Sequence, residues 1–186
     1  MAQLVCPWWI GMLMASPVRS WFDDPERLLR PYIREGMTVL EPGPGMGFFT
    51  LPMARMVGPN GRVVAVDVQL KMLNGLRHRA EHAGLLSRIE MRLAGPDSLG
   101  VDDLRGKVDL VVAIAVVHEM PSDDAFFQQA AGTLKPGGSL LLVEPRGHVK
   151  GDKFSHEIHA ACEAGLAKSA RVMGGNREVA VFEKCA

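Results

Sequence analysis

Five short apolar runs, separated by segments of helical periodicity, constrain the fold of this chain more than any other feature. They are rich in valine, leucine and isoleucine and occupy residues 37–41, 62–67, 89–94, 108–115 and 139–145. Nearly continuous apolar runs of this length are typical of parallel strands that are buried on both faces. Their alternation with helices predicts an α/β fold in which helices cover both faces of a mostly parallel sheet.

Three segments between or after these runs are predicted to be helices. In the first, apolar residues recur at helical spacing, at Leu73, Leu76, Ala80 and Ala83. The second, residues 123–134, follows Ser122 as its N-cap and turns three side chains inward, those of Phe126, Phe127 and Ala130. The third follows Glu144 and carries four apolar residues on one face, Phe154, Ile158, Ala161 and Cys162.

The two ends of the chain differ from its centre. Near the C-terminus a Gly-Gly-Asn stretch separates two apolar runs, the second being REVAVFEK. The sheet is therefore predicted to finish with a hairpin and an antiparallel last strand. Residues 1–35 contain all three tryptophans. We interpret residues 1–35 as an N-terminal helical lid segment and residues 36–186 as the main domain, within one compact domain overall.

Composition excludes several classes of function. Lys plus Arg (21) balances Asp plus Glu (21), so nothing in the charge indicates nucleic acid or an anionic membrane surface as a partner. Three cysteines without a CxxC pair argue against a disulfide framework. The apolar opening LVCPWWIGMLMA follows no Lys or Arg, contains Pro7, and is too short to span a bilayer. We expect a cytoplasmic protein.

The stretch VLEPGPGMGFF, residues 39–49, contains the strongest candidate for a ligand site. Gly43, Gly45 and Gly47 follow the first strand, and the first strand-to-helix loop is the usual ligand site of such sheets. Glycine there permits left-handed torsions and close approach of a ligand to the backbone. Because Phe48 occupies the place of the third glycine in the dinucleotide pattern G-x-G-x-x-G, a pyrophosphate cradle is less favoured.

Two carboxylates accompany the loop. Asp67 ends the second strand, twenty residues after Gly47, where an acidic side chain can accept two hydrogen bonds from a ribose diol. Glu41 ends the first strand, where its negative charge would repel the pyrophosphate of a nicotinamide dinucleotide. S-adenosylmethionine presents an ammonium and a sulfonium instead. The loop therefore suits a cationic adenosine ligand.

These residues resemble those of the class I S-adenosylmethionine-dependent methyltransferases, over about residues 37 to 145. VLEPGPGMGFFTLPMA is similar to the glycine-rich first motif of that family, and VVAVD to its second. VDLVVAIAVVHEMPS resembles the fourth-strand motif, and GTLKPGGSLLLVEP the turn into the fifth strand. The resemblance implies a Rossmann-like, seven-stranded sheet and S-adenosylmethionine as the methyl donor, with S-adenosylhomocysteine as product.

The resemblance also implies a set of cofactor-binding residues. These are Glu41, Gly43, Gly45, Gly47, Asp67, Val68, Asp97 and Ala113. Asp97 is assigned to the adenine amino group although AGPDSLG departs from the usual Gly-Asp-Ala of the family. Pro96 leaves backbone contacts to the adenine as the alternative.

The acceptor side has weaker signals. His118 follows the fourth strand, and its unperturbed pKa of about 6.5 suits removal of a proton from the acceptor, although it could also line the pocket or cap the next helix. Methyl transfer itself requires alignment of donor and acceptor rather than a base. We assign His118 as catalytic, and Trp9, Glu144 and His148 as substrate-binding.

Two further segments have alternative interpretations. HEIH, residues 156–159, lacks H-E-x-x-H spacing and its histidines fall off the apolar face, so no metal site is predicted. CPWW, residues 6–9, is either a hydrophobic lid or a surface that joins two copies in a homodimer.

We therefore predict a methyltransferase of EC 2.1.1 type with a small-molecule acceptor. Two alternatives stay open: an NAD-dependent oxidoreductase on a Rossmann sheet, and a non-catalytic cofactor-binding subunit.

Overall fold

The computed structural model describes residues 24–95, 97–146, 149, 151–174 and 177–185. Most of the predicted N-terminal lid segment, including Trp9, therefore lies outside the described residues, and only its residues 24–35 are described. The chain forms two compact units that divide after Gly95. Of the helices in these residues, none has the length and apolar character needed to cross a membrane.

The first unit contains three parallel strands and their connecting helices. In chain order these are α1 (Pro25–Leu29), β1 (Thr38–Pro42), α2 (Thr50–Met56), β2 (Arg62–Asp67), α3 (Leu70–His82) and β3 (Ile89–Leu93). Strand β2 pairs in parallel with β1 and with β3. Four consecutive residues of β2, Val63 to Val66, are buried, as the continuous apolar run predicts. The polar ends of β1 and β2 therefore emerge at the same edge of this unit.

The second unit contains the remaining four strands. Its elements are β4 (Val108–Ile114), α4 (Asp123–Thr133), β5 (Leu134–Pro145), α5 (Gly151–Glu163), β6 (Leu166–Gly174) and β7 (Arg177–Lys184), with a short 3-10 turn at Val117–Glu119. Strands β4 and β5 are parallel. Strand β7 runs antiparallel to both of its neighbours, β5 and β6.

The strand order of the seven-stranded sheet is β3-β2-β1-β4-β5-β7-β6. This order, with parallel pairs and one antiparallel strand near the end, confirms the predicted Rossmann-like fold. The predicted hairpin is also confirmed, because β6 and β7 pair across the Gly-Gly-Asn stretch, whose Gly175 and Asn176 lie outside the described residues.

The helix predictions are confirmed with two corrections. Helix α4 begins after Ser122, whose hydroxyl accepts the N–H of Ala125 at 3.2 Å. Ala83, predicted on the buried face of α3, is instead its exposed C-cap, because the helix ends at His82. Cys162 was predicted on the apolar face of α5 but is exposed.

Candidate functional site

The glycine loop after β1 has the backbone geometry that its sequence predicts. Gly43, Gly45 and Gly47 have φ values of 67°, 54° and 86°, in the left-handed region that favours glycine. A Cβ atom on Gly45 would meet no heavy atom within 4 Å, so this part of the loop borders open space. The N–H of Gly43 donates to the carbonyl of Val66 on β2 at 2.8 Å. The loop is thus fixed to the sheet while Gly45 offers bare backbone to a ligand.

Glu41 lies buried at the carboxyl end of β1, with 4% of its surface exposed. The hydroxyl of Thr50, the first residue of α2, donates to its Oε2 at 2.6 Å. Burial raises the pKa of Glu41 to about 8, opposed by the Thr50 hydrogen bond and reinforced by the nearby Asp67 carboxyl. The buried position therefore favours the protonated form of Glu41 at neutral pH in the absence of a ligand, whereas the sequence analysis assumed its charged form.

Asp67 lies at the carboxyl end of β2 and is 8% exposed. Its Oδ1 accepts the N–H of Gln69 at 2.8 Å, which turns the chain toward α3. The next residue, Val68, is 46% exposed, which is unusual for a large apolar side chain beside a sheet. At this edge of the first unit, Asp67 thus supplies a carboxyl group and Val68 an exposed apolar side chain.

The other predicted cofactor residues have contrasting positions. Asp97 is exposed in a turn just after Gly95, and Ala113 is fully buried in β4. Both lie in the second unit, and their proposed contacts with the cofactor stay predictions.

His118 and Glu144 form a hydrogen-bonded pair in the second unit. Nδ1 of His118 lies 2.7 Å from Oε2 of Glu144, and the Glu144 side chain has no exposed surface. The other oxygen of Glu144 accepts the backbone N–H of Val117 at 3.0 Å. The hydrogen bond with Glu144 is the largest cause that raises the pKa of His118, and burial partly opposes it. The sequence assigned these two residues separately, and the structure brings them together.

The backbone that leads to His118 is constrained on both sides. Ala115, just after β4, has a φ of 53°, a left-handed torsion that is uncommon for a residue with a Cβ. After it, Nζ of Lys153 on α5 donates to the carbonyl of His118 at 3.3 Å. These features fix the backbone at His118, and the ring itself is oriented by its contact with Glu144.

Glu157 on α5 is a buried acid that the sequence analysis did not single out. It has no exposed surface, and neither carboxyl oxygen has a hydrogen-bond partner. Burial, with the nearby carboxyls of Glu144 and Asp123, raises its pKa to about 8. Helical spacing offered the signal, because position 157 is three residues after the buried Phe154.

The described residues contain no cluster of three His, Cys, Asp or Glu side chains that could hold a metal ion. His156 and His159 are exposed on α5, as their positions off the apolar face predicted. His148 and Trp9, assigned to the acceptor, lie outside the described residues.

Comparison with known proteins extends these observations. A family model for a methyltransferase domain matches residues 33–184. The ubiquinone biosynthesis O-methyltransferase of Paramagnetospirillum magneticum is 34% identical over 120 residues, which are 64% of this chain and 44% of that protein. The ubiquinone/menaquinone biosynthesis C-methyltransferase UbiE of Pasteurella multocida is 30% identical over 112 residues, 60% of this chain and 41% of that one. The matches thus cover less than half of either relative.

Solved structures show the same fold. A SAM-dependent methyltransferase from Aquifex aeolicus superposes with a TM-score of 0.84 at 23% identity, covering 96% of this chain and 98% of that one.

Proposed function

Because the chain belongs to the class I S-adenosylmethionine-dependent methyltransferase family, we propose that it transfers the methyl group of S-adenosylmethionine to a small-molecule acceptor. The observation that carries this proposal lies in the first unit. An open glycine loop with left-handed torsions stands between two acidic strand ends, at Glu41 and Asp67. Bare backbone with carboxyl groups on both sides suits a ligand that carries a ribose diol and a positive charge.

Each element of the first unit has a defined role in this proposal. Asp67 accepts hydrogen bonds from the ribose, and the exposed Val68 contacts the adenine ring. The glycine loop admits the methionine portion, and Glu41 lies near its ammonium. When bound, the cofactor supplies a methyl group that is already activated on a sulfonium. The chain itself must then bind the cofactor and the acceptor, align the methyl group with the acceptor atom, and exclude water.

We assign the acceptor chemistry to the pair in the second unit. With Nδ1 of His118 hydrogen-bonded to Glu144, the other ring nitrogen, Nε2, is the one that can take a proton from the acceptor. Glu144 then stabilises the resulting imidazolium. His118 thus acts as the catalytic base and Glu144 as its positioning residue. This changes the role of Glu144 from the substrate contact that the sequence predicted.

The names of two relatives suggest which acceptor atoms to consider. One is an O-methyltransferase and the other a C-methyltransferase, both of quinone biosynthesis. We propose an oxygen or carbon acceptor whose proton must be removed, which is the chemistry that a held imidazole serves. Contacts of Asp97 and Ala113 with the cofactor, and of Trp9 and His148 with the acceptor, are part of this proposal. So are a homodimer and a cytoplasmic location.

A thermal-shift comparison tests the proposed function against the oxidoreductase alternative. A ligand at about 100 times its Kd adds about 2.7 kcal/mol to the free energy of unfolding. We expect S-adenosylhomocysteine to raise the melting temperature and NADH to leave it unchanged. Stabilisation by NADH alone would reverse the assignment. Binding of S-adenosylmethionine without methylation of any hydroxylated aromatic acceptor would favour the non-catalytic alternative.

A further inference from the structure

One face of helix α3 packs closely against the glycine loop. A Cβ atom on Gly47 would overlap Cδ1 of Leu76, and a Cβ atom on Gly75 would lie 2.9 Å from Cγ of Met46. The absence of side chains at Gly47 and Gly75 therefore lets helix and loop approach closely. Gly75 and Arg79 are one helical turn apart, so they lie on the same face.

Arg79 makes the polar contact of this face. Its guanidinium donates to the backbone carbonyl of Met46 at 2.6 Å. The N–H of the same peptide group, that of Gly47, donates to the carbonyl of Pro44 at 3.0 Å. The peptide between Met46 and Gly47 is therefore held at both ends, from the helix on one side and from within the loop on the other.

This arrangement has a direct consequence for ligand binding. Left-handed glycines are conformationally free, so an unsupported loop would lose entropy each time it ordered around a ligand. A partly buried guanidinium makes a stronger hydrogen bond to a carbonyl than a neutral donor does. Burial lowers the pKa of Arg79, but arginine remains cationic at all physiological pH values.

We propose that Arg79 is a positioning residue for cofactor binding, which holds the glycine loop in its ligand-binding conformation through the carbonyl of Met46. Gly75 completes this function by leaving room for the Met46 side chain. The inference rests on the proposed function, since it takes the loop to be the S-adenosylmethionine site. Arg79 itself does not touch the reacting atoms.

Calorimetric titration of S-adenosylhomocysteine into Arg79→Met tests the proposal. We expect the affinity to fall about 5- to 20-fold, while kcat at saturating cofactor changes much less than KM. Arg79→Lys retains a cationic donor and should recover part of the affinity. Gly75→Ala provides a second test that does not weaken the helix, because alanine favours helix formation. Its Cβ should displace Met46 and weaken binding by about 2- to 5-fold.

Arg88→Met is the matched control. Arg88 also donates from its guanidinium to a backbone carbonyl of the first unit, that of Ala54 at 3.2 Å, but this carbonyl lies in α2 rather than in the loop. We expect its affinity for S-adenosylhomocysteine to stay at the wild-type value even if its melting temperature falls. Wild-type affinity in both Arg79→Met and Gly75→Ala would overturn the inference, as would an equal loss in Arg88→Met. If the wild-type protein does not bind S-adenosylhomocysteine, the proposed function itself is contradicted, rather than the role of Arg79.

Discussion

Nδ1 of His118 and Oε2 of Glu144 lie 2.7 Å apart, and Oε1 of the same carboxyl accepts the N–H of Val117 at 3.0 Å. Because the second contact occupies one oxygen, the other oxygen has a fixed direction toward the ring. In the tautomer that carries its proton on Nδ1, the ring donates to this oxygen, and the contact fixes the orientation of the imidazole. In that tautomer Nε2 carries no proton in the neutral histidine and lies 4.0 Å from Oε1 of Glu119, and it is the nitrogen to which the proposed function assigns the role of base.

Glu144→Gln should strongly slow the proposed methyl transfer while leaving the fold intact. The amide oxygen would still accept from Val117, so its NH2 group would face Nδ1 and force the ring proton onto Nε2. We expect kcat to fall about 10²- to 10⁴-fold, the usual contribution of general base catalysis. Steady-state kinetics of methyl transfer measure this, with S-adenosylhomocysteine affinity as the control for folding. A fall of less than about threefold would show that the reaction needs no base at His118.

The pH profile provides an independent test of the same pair. His118 must be neutral to accept a proton, and Glu144 raises its pKa, as Glu119 and Glu157 do to a smaller extent. The acidic limb of kcat/KM should therefore lie above the ordinary histidine pKa of about 6.5. In Glu144→Gln the pKa of His118 should move down, which NMR titration of the histidine resonances would detect. An unchanged histidine pKa would contradict the assigned contact.

Cofactor binding should release a proton from Glu41. Its pKa of about 8 means that the carboxyl is mostly protonated at pH 7. A neighbouring ammonium would favour the ionised form, so the proton leaves on binding and affinity rises with pH up to about 8. Calorimetry at pH 7 in buffers of different ionisation enthalpy should show up to about one proton released per ligand bound. Glu41→Gln should release none, and an unchanged release in that variant would assign the proton to another group.

Asp67→Ala should weaken S-adenosylhomocysteine binding by about 10- to 150-fold, because it removes charge-assisted hydrogen bonds worth about 1.5 to 3 kcal/mol. The substitution also removes the acceptor for the N–H of Gln69. Asp67→Asn separates the two effects, since it keeps an oxygen for Gln69 and loses only the charge. Calorimetry that finds wild-type affinity in both variants would refute the ribose contact.

Glu157→Met should stabilise the protein by about 1 to 3 kcal/mol near neutral pH, because it replaces a buried carboxyl that has no hydrogen-bond partner. The folded-state pKa of about 8 lies above the ordinary value of 4.5, so the folded chain keeps a proton that the unfolded chain loses between these values. Stability therefore falls as pH rises through that window, by up to about 1.4 kcal/mol per pH unit. Denaturant unfolding at pH 5 and pH 8 measures both effects.

Glu163→Met, at the exposed end of the same helix, is the control and should change stability by no more than about 0.5 kcal/mol. If Glu157→Met is more stable than the wild type but loses methyl transfer, the buried carboxyl of Glu157 is needed for function and lowers the stability of the protein in exchange. If it is destabilised, the carboxyl is not the unsatisfied group described above.

The sequence predicted the fold well because its apolar runs carry the information for buried parallel strands. Residues 62–67 and 177–184 were predicted to the residue, and the loop glycines were identified with their left-handed torsions. The raised pKa of Glu41 could not be predicted from the sequence, because it depends on burial of the side chain, which the hydrogen bond from Thr50 only partly opposes. The contact of His118 with Glu144 spans 26 residues, and no local pattern predicts a contact at that separation. Glu157 was overlooked because a glutamate beside two histidines resembles a solvated helix surface.

The position of β7 between β5 and β6 has a consequence for synthesis on the ribosome. Strand β6 leaves the exit tunnel first, yet it has no described partner other than β7. Until residues 177–184 emerge, the edge of β5 that β7 will occupy is open to pairing with other nascent chains. Stalled chains with a C-terminal linker that places β6 outside the tunnel but keeps residues 177–184 inside should therefore recruit chaperones, and chains with a longer linker that also releases β7 should not.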